Sequence, residues 1–381
     1  MRTDLERMPK TTGITYVSTE TEKKQFIHFP YKHYNGDPYW VAPLLREQKK
    51  LLNPKKNPFY NHAEIAFFVA EEDGEPAGRI AAIIDHRYNE HHNTKTGFFG
   101  FFESNNSKGV ANLLFRVVED WLRDRGMTDL LGPSNPSMMD EVGILVDGFD
   151  KYPYIMMPYH KDYYDSLITG AGLEKEMDLY AYEVDQNTVD RDRMKRAVEI
   201  VRKRVPGLKI REINLKKMKE EVKIIRHIFN EAWRENWGFI PLSQEELDIL
   251  AKDLKAIVNP KFAHVAEIDG EPVAFSVALP DYNQVFRKMN GRLFPFGIIK
   301  LLYLRNKINR VRTALMGVLP KHRGKGIDAL LHQKSIENGL KFDFHTSELS
   351  WILETNLEMI RVAEKIGGTR TKTYRMYRKD L

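Results

Sequence analysis

Ala314 to Asp328 reads ALMGVLPKHRGKGID, an apolar run to Leu319, a proline, and a basic loop with glycines at 324 and 326. The pattern predicts a short buried strand stopping before Pro320, a loop, and a helix beginning near Ala329. Glycines let the backbone turn its N–H groups toward an anion, and Arg323 and Lys325 add positive charge at the same point. Such a loop binds phosphate. It is not a Walker loop, because no GK followed by Ser or Thr closes it. Nor is it a dinucleotide fingerprint, because the three glycines of GxGxxG are missing.

The same plan occurs twice. VAEEDGEP at Val69–Pro76 and VAEIDGEP at Val265–Pro272 each read as strand, Asp-Gly turn and strand, closed by Asp85 and by Asp281. Both pairs are offset by 196 residues, from 69 to 265 and from 85 to 281. Downstream, Gly172 to Tyr182 and Gly367 to Tyr377 repeat one approach to a final strand. A period of half the chain predicts a tandem domain pair and argues against a solenoid. The expected units are residues 11–186, a linker helix within 187–207, and residues 208–381. Asp85 to Thr96 reads as polar loop, and Asp190 to Arg204 as a charged helix ended by Pro206 and Gly207.

Composition narrows the function classes. With 381 residues, 42% hydrophobic and 29% charged, the chain is long enough for two ordinary cores. It has no cysteine, which excludes disulfides, thiolate metal sites and a cysteine nucleophile. His160 and His322 have no partners at metal-ligand spacing, so no metal is expected. No apolar stretch reaches the roughly 18 residues of a membrane span, and MRTDLERMPK lacks the apolar core of a signal peptide. The expected location is the cytoplasm, with peripheral attachment to the inner membrane face as the variant. A net charge of +6 suits an anionic ligand or surface and lacks the basic stripe of a nucleic-acid binder, so no nucleic acid is expected.

The phosphate loop resembles motif A of the GNAT N-acetyltransferase superfamily, Q/R-x-x-G-x-G/A. Arg323 and Gly326 match, and Asp328 stands where Gly or Ala is usual. NNSKGVA, with Asn106, Gly109 and Ala111, is a worn version of it in the first half. SELSWILETNLEMIRVAEKIGG resembles the fifth strand and fourth helix of that fold, with Asn356 leading, Glu364 and Lys365 matching, and Ala363 in place of a common tyrosine. GRLFPFGIIKLL, ELSWILETN, GPSNPSMMDEVGILVDGFD and MMPYHKDYY are similar to strings of a bacterial family of tandem GNAT proteins that includes ceramide synthase-like acyltransferases.

The resemblance implies an α/β fold of the α+β kind. It would comprise two tandem GNAT-like domains, each a mixed, mostly antiparallel sheet flanked by helices. It implies acyl-CoA as cosubstrate in the second domain, held by Gly317, Val318, Arg323, Gly324, Lys325, Gly326, Ile327 and Asn356. Gly317 or Val318 would supply the oxyanion donor. The implied reaction is transfer of an acyl group, long chains included, to a primary amine such as a sphingoid base.

That chemistry needs a base for the amine, donors for the oxyanion and a route for the thiolate. Glu348, Glu354 and Glu231 are the expected carboxylates, and Tyr374 or Tyr303 the substitute for the missing tyrosine. Asn135, Asp140, Glu141 and Tyr159, in the long insertion of the first half, are expected to read the acceptor's polar head. Residues 287–312 hold eight Lys or Arg and no acid around an apolar centre that includes Phe296. This composition suits an anionic membrane or the mouth of an acyl pocket, with Phe296 and Tyr303 touching substrate. Three alternatives stay open: a short-chain N-acetyltransferase acting on a small amine, a Fem-like ligase fed by aminoacyl-tRNA, and a catalytically dead CoA-binding protein.

Overall fold

The computed structural model describes residues 12–381. The stretch MRTDLERMPK, read above for a signal peptide, lies outside the described residues.

The first half runs β1 (Thr12–Tyr16), α1 (Glu20–His33), α2 (Leu45–Leu51), β2 (Ala63–Glu72), β3 (Glu75–Asp85), α3 (His86–His92), β4 (Thr96–Ser104), α4 (Lys108–Arg123) and β5 (Asp129–Gly132). A long insertion carries β6 (Ser134–Asn135), β7 (Glu141–Val142), β8 (Ile144–Asp147) and α5 (Tyr164–Gly170) before β9 (Glu174–Asp185). Helix α6 (Arg191–Arg204) follows, within the stretch expected as a linker. The second half repeats the order with β10 (Leu208–Glu212), α7 (Met218–Trp233), α8 (Gln244–Ile257), β11 (Ala263–Ile268) and β12 (Glu271–Pro280). Its insert holds α9 (Asn283–Phe286) and α10 (Gly297–Leu304). Then come β13 (Arg310–Val318), α11 (Ile327–Lys341), β14 (Thr346–Leu353), α12 (Leu357–Lys365) and β15 (Thr369–Asp380).

The repeat is physical down to its irregularities. In both hairpins the Asp-Gly pair takes positive φ, +55° and +79° at Asp73 and Gly74, +52° and +89° at Asp269 and Gly270. A two-residue hairpin turn needs this to match strand twist. Each hairpin also shifts register at the same offset position, between Ala70 and Glu71 and between Ala266 and Glu267. The expected polar loop after Asp85 is instead the short helix α3, because the Asp85 carboxylate caps it by accepting from the N–H groups of Arg87 and Tyr88. Only Tyr88 of that helix is buried, so its sequence shows no apolar period.

The two half-sheets join. The strand order is β1-β2-β3-β4-β5-β15-β9-β14-β13-β12-β11-β10, with β8 pairing β15 off this path. The last strand of each copy therefore inserts next to the other copy: β15 pairs β5 (Tyr377 opposite Gly132), β9 pairs β14 (Tyr182 opposite Leu349), and β9 and β15 pair with each other. The exchange leaves neither half with an open edge at the centre.

A polar latch ties the first half to α8. His62 Nδ1 lies 3.0 Å from Asp85 and its Nε2 3.1 Å from Glu246, while Arg87 donates to Glu246 at 2.7 Å. Burial alone would lower the His62 pKa, but the hydrogen bonds to Asp85 and Glu246 outweigh it and raise it to about 9. A histidine pKa raised on folding stabilises fully below its unfolded value, near 6.5, and that stability is lost as pH rises through about 9. Stability measured by urea melts relative to His62→Gln is thus expected to fall by about 1–2 kcal/mol between pH 6.5 and 9.5, allowing for solvent screening of a partly buried group. A flat difference would contradict the latch.

Candidate acyl-transfer site

Two strands part in the second half. β13 and β14 pair in parallel from Arg310 opposite Thr346 to Thr313 opposite Leu349, and no further. At that level Ala314 bulges out of register with β12, and Ser350 and Trp351 drop out of register with β9. The strands then diverge around a wedge bounded by Ala314–Val318 and Ser350–Leu353. Leu319 N donates to Val273 O, so odd-numbered residues of this stretch face β12. Met316 faces the wedge, where its carbonyl accepts from Trp233 Nε1 at 2.9 Å. By alternation Val318 turns its N–H to the wedge as well, whereas Gly317 turns to β12. Gly317 instead serves close packing: a Cβ there would lie 2.9 Å from the Phe275 ring and 3.2 Å from Ala232 of α7.

The wedge ends at the phosphate loop. Gly324 and Gly326 take φ of +70° and +81°, and Gly326 is the N-cap of α11, with no side chain capping that helix. The first N–H groups of α11, from Ile327 on, therefore remain for an anion. Arg323 is exposed but also donates to the Ala232 carbonyl, bracing the loop against the end of α7. Lys325 Nζ sits 3.3 Å from His322 Nδ1. Asp328 lies in the first turn of α11, where a carboxylate complements the helix dipole. Asn356 caps α12 by accepting from Met359 N at 3.2 Å, so the oxygen expected on the coenzyme is used in the fold.

In the first half the corresponding places are filled. Ser107 caps α4, and the Glu72 carboxylate accepts from Asn105 at 3.3 Å and from the Ser107 hydroxyl at 3.4 Å. A carboxylate thus backs the N-cap residue of that helix; the residue 196 positions later is Ile268. Glu103, opposite Arg79 as Gly317 is opposite Phe275, accepts from Tyr34 and Tyr164 at 2.7 Å each. Asn135 accepts from Phe101 N at 2.6 Å, and Tyr159 donates to the Phe149 carbonyl. These two residues, expected to read an acceptor, are spent within the first half.

Its insertion nevertheless reaches the second. Ile155 N donates to Asp281 at 2.9 Å, and Met139 and Ile155 pack with Phe229, Ala314 and Leu315. Beneath them Arg312 donates to the Ser350 hydroxyl at 2.8 Å and to the Ile155 carbonyl at 3.2 Å. Glu348, fully buried, accepts from Lys372 at 2.8 Å and from Ser350 at 2.9 Å. Tyr374 is buried beside them with no hydrogen-bond partner for its hydroxyl. Burial, then the Glu348 charge, push its pKa well above the ordinary phenol value, so it stays protonated.

Glu141 stands apart from the other carboxylates. It is partly accessible and accepts no hydrogen bond among the described residues. Burial, and then the charge of Asp140, raise its pKa to about 7 despite the pull of Arg312. Asp140 accepts from the Ser137 hydroxyl at 2.9 Å, and burial lifts it to about 6. The three carboxylates expected as base are all engaged elsewhere. Glu348 is neutralised by Lys372, Glu354 holds Lys175 at 2.7 Å and Asp178 N at 3.0 Å, and Glu231 pairs with Arg234 on the surface. Glu141, expected to read the acceptor, has no such ion-pair partner among the described residues. The signal lay in SMMDEVGILV, two adjacent acids inside an apolar run. Phe296 and Tyr303 are 70% and 67% exposed, and Tyr303 approaches Lys307, so neither reaches the wedge.

A parted strand pair ending in an open phosphate loop defines an N-acyltransferase of the GNAT class. The sequence pattern of the Acetyltransferase (GNAT) family matches residues 27–137 and again 222–368, and the chain belongs to that family. It is 37% identical over 374 residues to the bacterial ceramide synthase of Caulobacter vibrioides, covering 96% of each chain. It is also 37% identical over 370 residues to Protein YghO of Escherichia coli, covering 95% of this chain and 94% of that one. Among solved structures, a tandem GNAT protein from the clavulanic acid biosynthesis pathway shares the fold with a TM-score of 0.58 at 11% identity, covering 97% and 98% of the two chains. A GCN5-related glucosamine N-acetyltransferase region of a fungal β-N-acetylglucosaminidase gives 0.60 at 13% identity, over 98% of this chain and 38% of that one.

Proposed function

We propose that the protein transfers a long-chain acyl group from acyl-CoA to a primary amine, a sphingoid base or similar lipid amine, in the second half only. The observation that carries this reading is the wedge between β13 and β14, which ends at the phosphate loop, with Glu141 close enough to Arg312 at its base to feel that charge. The coenzyme diphosphate would lie on Gly324, Lys325, Gly326 and Ile327, with its thioester arm in the wedge. Glu141 takes a proton from the amine, whose nitrogen attacks the thioester carbon. Val318 N–H, with Met316 N–H, holds the oxyanion. The C–S bond breaks, and the thiolate takes up, through solvent, the proton that Glu141 accepted from the amine.

The lipid character of the substrate is supported by similarity to a protein named for ceramide synthesis and by the exposed apolar insert. The reading includes peripheral contact of residues 287–312 with an anionic membrane. No helix among the described residues is long and apolar enough to cross one. Among the described residues no group of three or more His, Asp or Glu could hold a metal ion, and the steps above use none.

The test is to incubate the protein with palmitoyl-CoA or acetyl-CoA and a panel of amines, following free thiol and amide mass. Palmitoyl amide of a long-chain amine is expected, with acetyl-CoA the poorer donor. Charge reversal in Arg323→Glu or Lys325→Glu is expected to raise the acyl-CoA Kd about tenfold or more. Binding without thiol release from any pairing would contradict the reading, as would amide formation from aminoacyl-tRNA alone.

A further inference from the structure

The insert between β12 and β13 is firmly seated at its root. Val285, Met289 and Ile308 are buried with Leu301 and Leu304 of α10, and Leu45 N donates to the Gly291 carbonyl at 3.0 Å. Its tip is the reverse. Phe294, Phe296, Ile298, Ile299, Leu302 and Tyr303 are six of the twelve large apolar side chains exposed among the described residues, and all lie within ten residues. α10 is thus apolar on both faces: Leu301 and Leu304 point inward, and Ile298, Ile299 and Leu302 outward. A helix apolar all round is normally covered.

Charge says by what. Arg287, Lys288, Arg292, Lys300, Arg305 and Lys307 flank this face in sequence, make no ion pair among the described residues, and have no acid between them. A protein partner of ordinary composition would leave this unbalanced charge against an apolar contact. An anionic bilayer matches both features at once.

Deepening the membrane contact proposed above, and resting on it, we infer that the outer face of α10 with Phe294 and Phe296 lies in the interface of an anionic bilayer. This fixes where the bilayer stands relative to the reaction. α10 leads directly into the start of β13 at Arg310, and the phosphate loop follows the strand's other end at Val318. At about 3.3 Å per residue the ends are ~26 Å apart, with the wedge beginning near the middle at Ala314. The coenzyme phosphates stay in water at one end, and the membrane lies at the other. The acceptor class is then an amphiphile whose tail remains in the bilayer while its amine reaches the wedge.

The test is sedimentation with vesicles of phosphatidylcholine alone or with 30% (about one third) phosphatidylglycerol, using the full chain. Wild type is expected to bind the anionic vesicles and to be released by about 0.5 M salt. Ile299→Asp/Leu302→Asp should weaken partitioning by about a hundredfold, and Lys300→Glu/Arg305→Glu by about twentyfold. Acyl-CoA titration of each variant reports whether it is folded and keeps the failure of this surface separate from failure of the acyl-transfer reading. Wild type that ignores anionic vesicles, or variants that bind as wild type does, would overturn the inference. So would a wild-type dimer that Ile299→Asp/Leu302→Asp turns into monomer, which would give the face to a second copy.

Discussion

Glu141→Gln is expected to lower kcat by about 10²- to 10⁴-fold with little change in palmitoyl-CoA affinity. The amide keeps the shape of the side chain and loses the proton acceptor. The pH profile gives the sign. A base works only when ionised, so wild-type kcat/KM should rise with pH and level off above about 7, where burial and Asp140 have placed the Glu141 pKa. Stability separates this role from a structural one. A carboxylate whose pKa is raised by folding stabilises below its unfolded value and loses that contribution as pH rises through about 7. Glu141→Gln should therefore melt at or above wild type at pH 8 while remaining inactive. An active variant, or one that is inactive only because it melts early, would remove Glu141 from the mechanism.

Lys372→Met should carry the largest cost to stability, about 3–5 kcal/mol. Lys372 and Glu348 are 2% and 0% exposed in their side chains and 2.8 Å apart. Removing the ammonium leaves Glu348 with the Ser350 hydroxyl and the nearby Arg312, deep beneath the wedge. Because Lys372 is on β15 and Glu348 on β14, the pair also joins strands contributed around β9 at the centre of the sheet. The companion Lys372→Met/Glu348→Leu should recover much of the loss, since two apolar side chains leave no buried charge. Urea melts of the three proteins decide it. A single substitution costing under about 1 kcal/mol would mean that the pair is solvated after all.

What was legible in the sequence is what local chemistry specifies. The Asp-Gly hairpins, the phosphate loop and the α4 and α11 helices declare themselves through turn residues and apolar period, and they recur at a fixed offset. The exchange of β9 and β15 did not show, because a strand's period fixes which face it buries and not which neighbour it takes. The site was legible at the coenzyme end for the same reason: Gly324 to Ile327 are consecutive. The acceptor end proposed above would be assembled from β13, β14, β15 and the first half's insertion, so sequence proximity misled. Glu354 and Glu231 sit near motif residues yet are bound in ion pairs, while Glu141 is 171 positions from Arg312 in sequence and close enough in the fold to feel its charge. One difference between the two copies lies in the hairpins themselves. VAEEDGEP and VAEIDGEP differ only at Glu72 and Ile268, and the Glu72 carboxylate accepts from the Ser107 hydroxyl at the N-cap of α4, a contact the isoleucine cannot make.

The central claim is that one half binds the coenzyme and the other supplies walls. Calorimetric titration with palmitoyl-CoA below its micelle-forming range measures it directly, on wild type, Lys325→Glu and the corresponding first-half change Lys108→Glu. The account predicts one molecule bound per chain, lost or severely weakened in Lys325→Glu and unaltered in Lys108→Glu. Two molecules per chain, or loss of binding in Lys108→Glu, would contradict it.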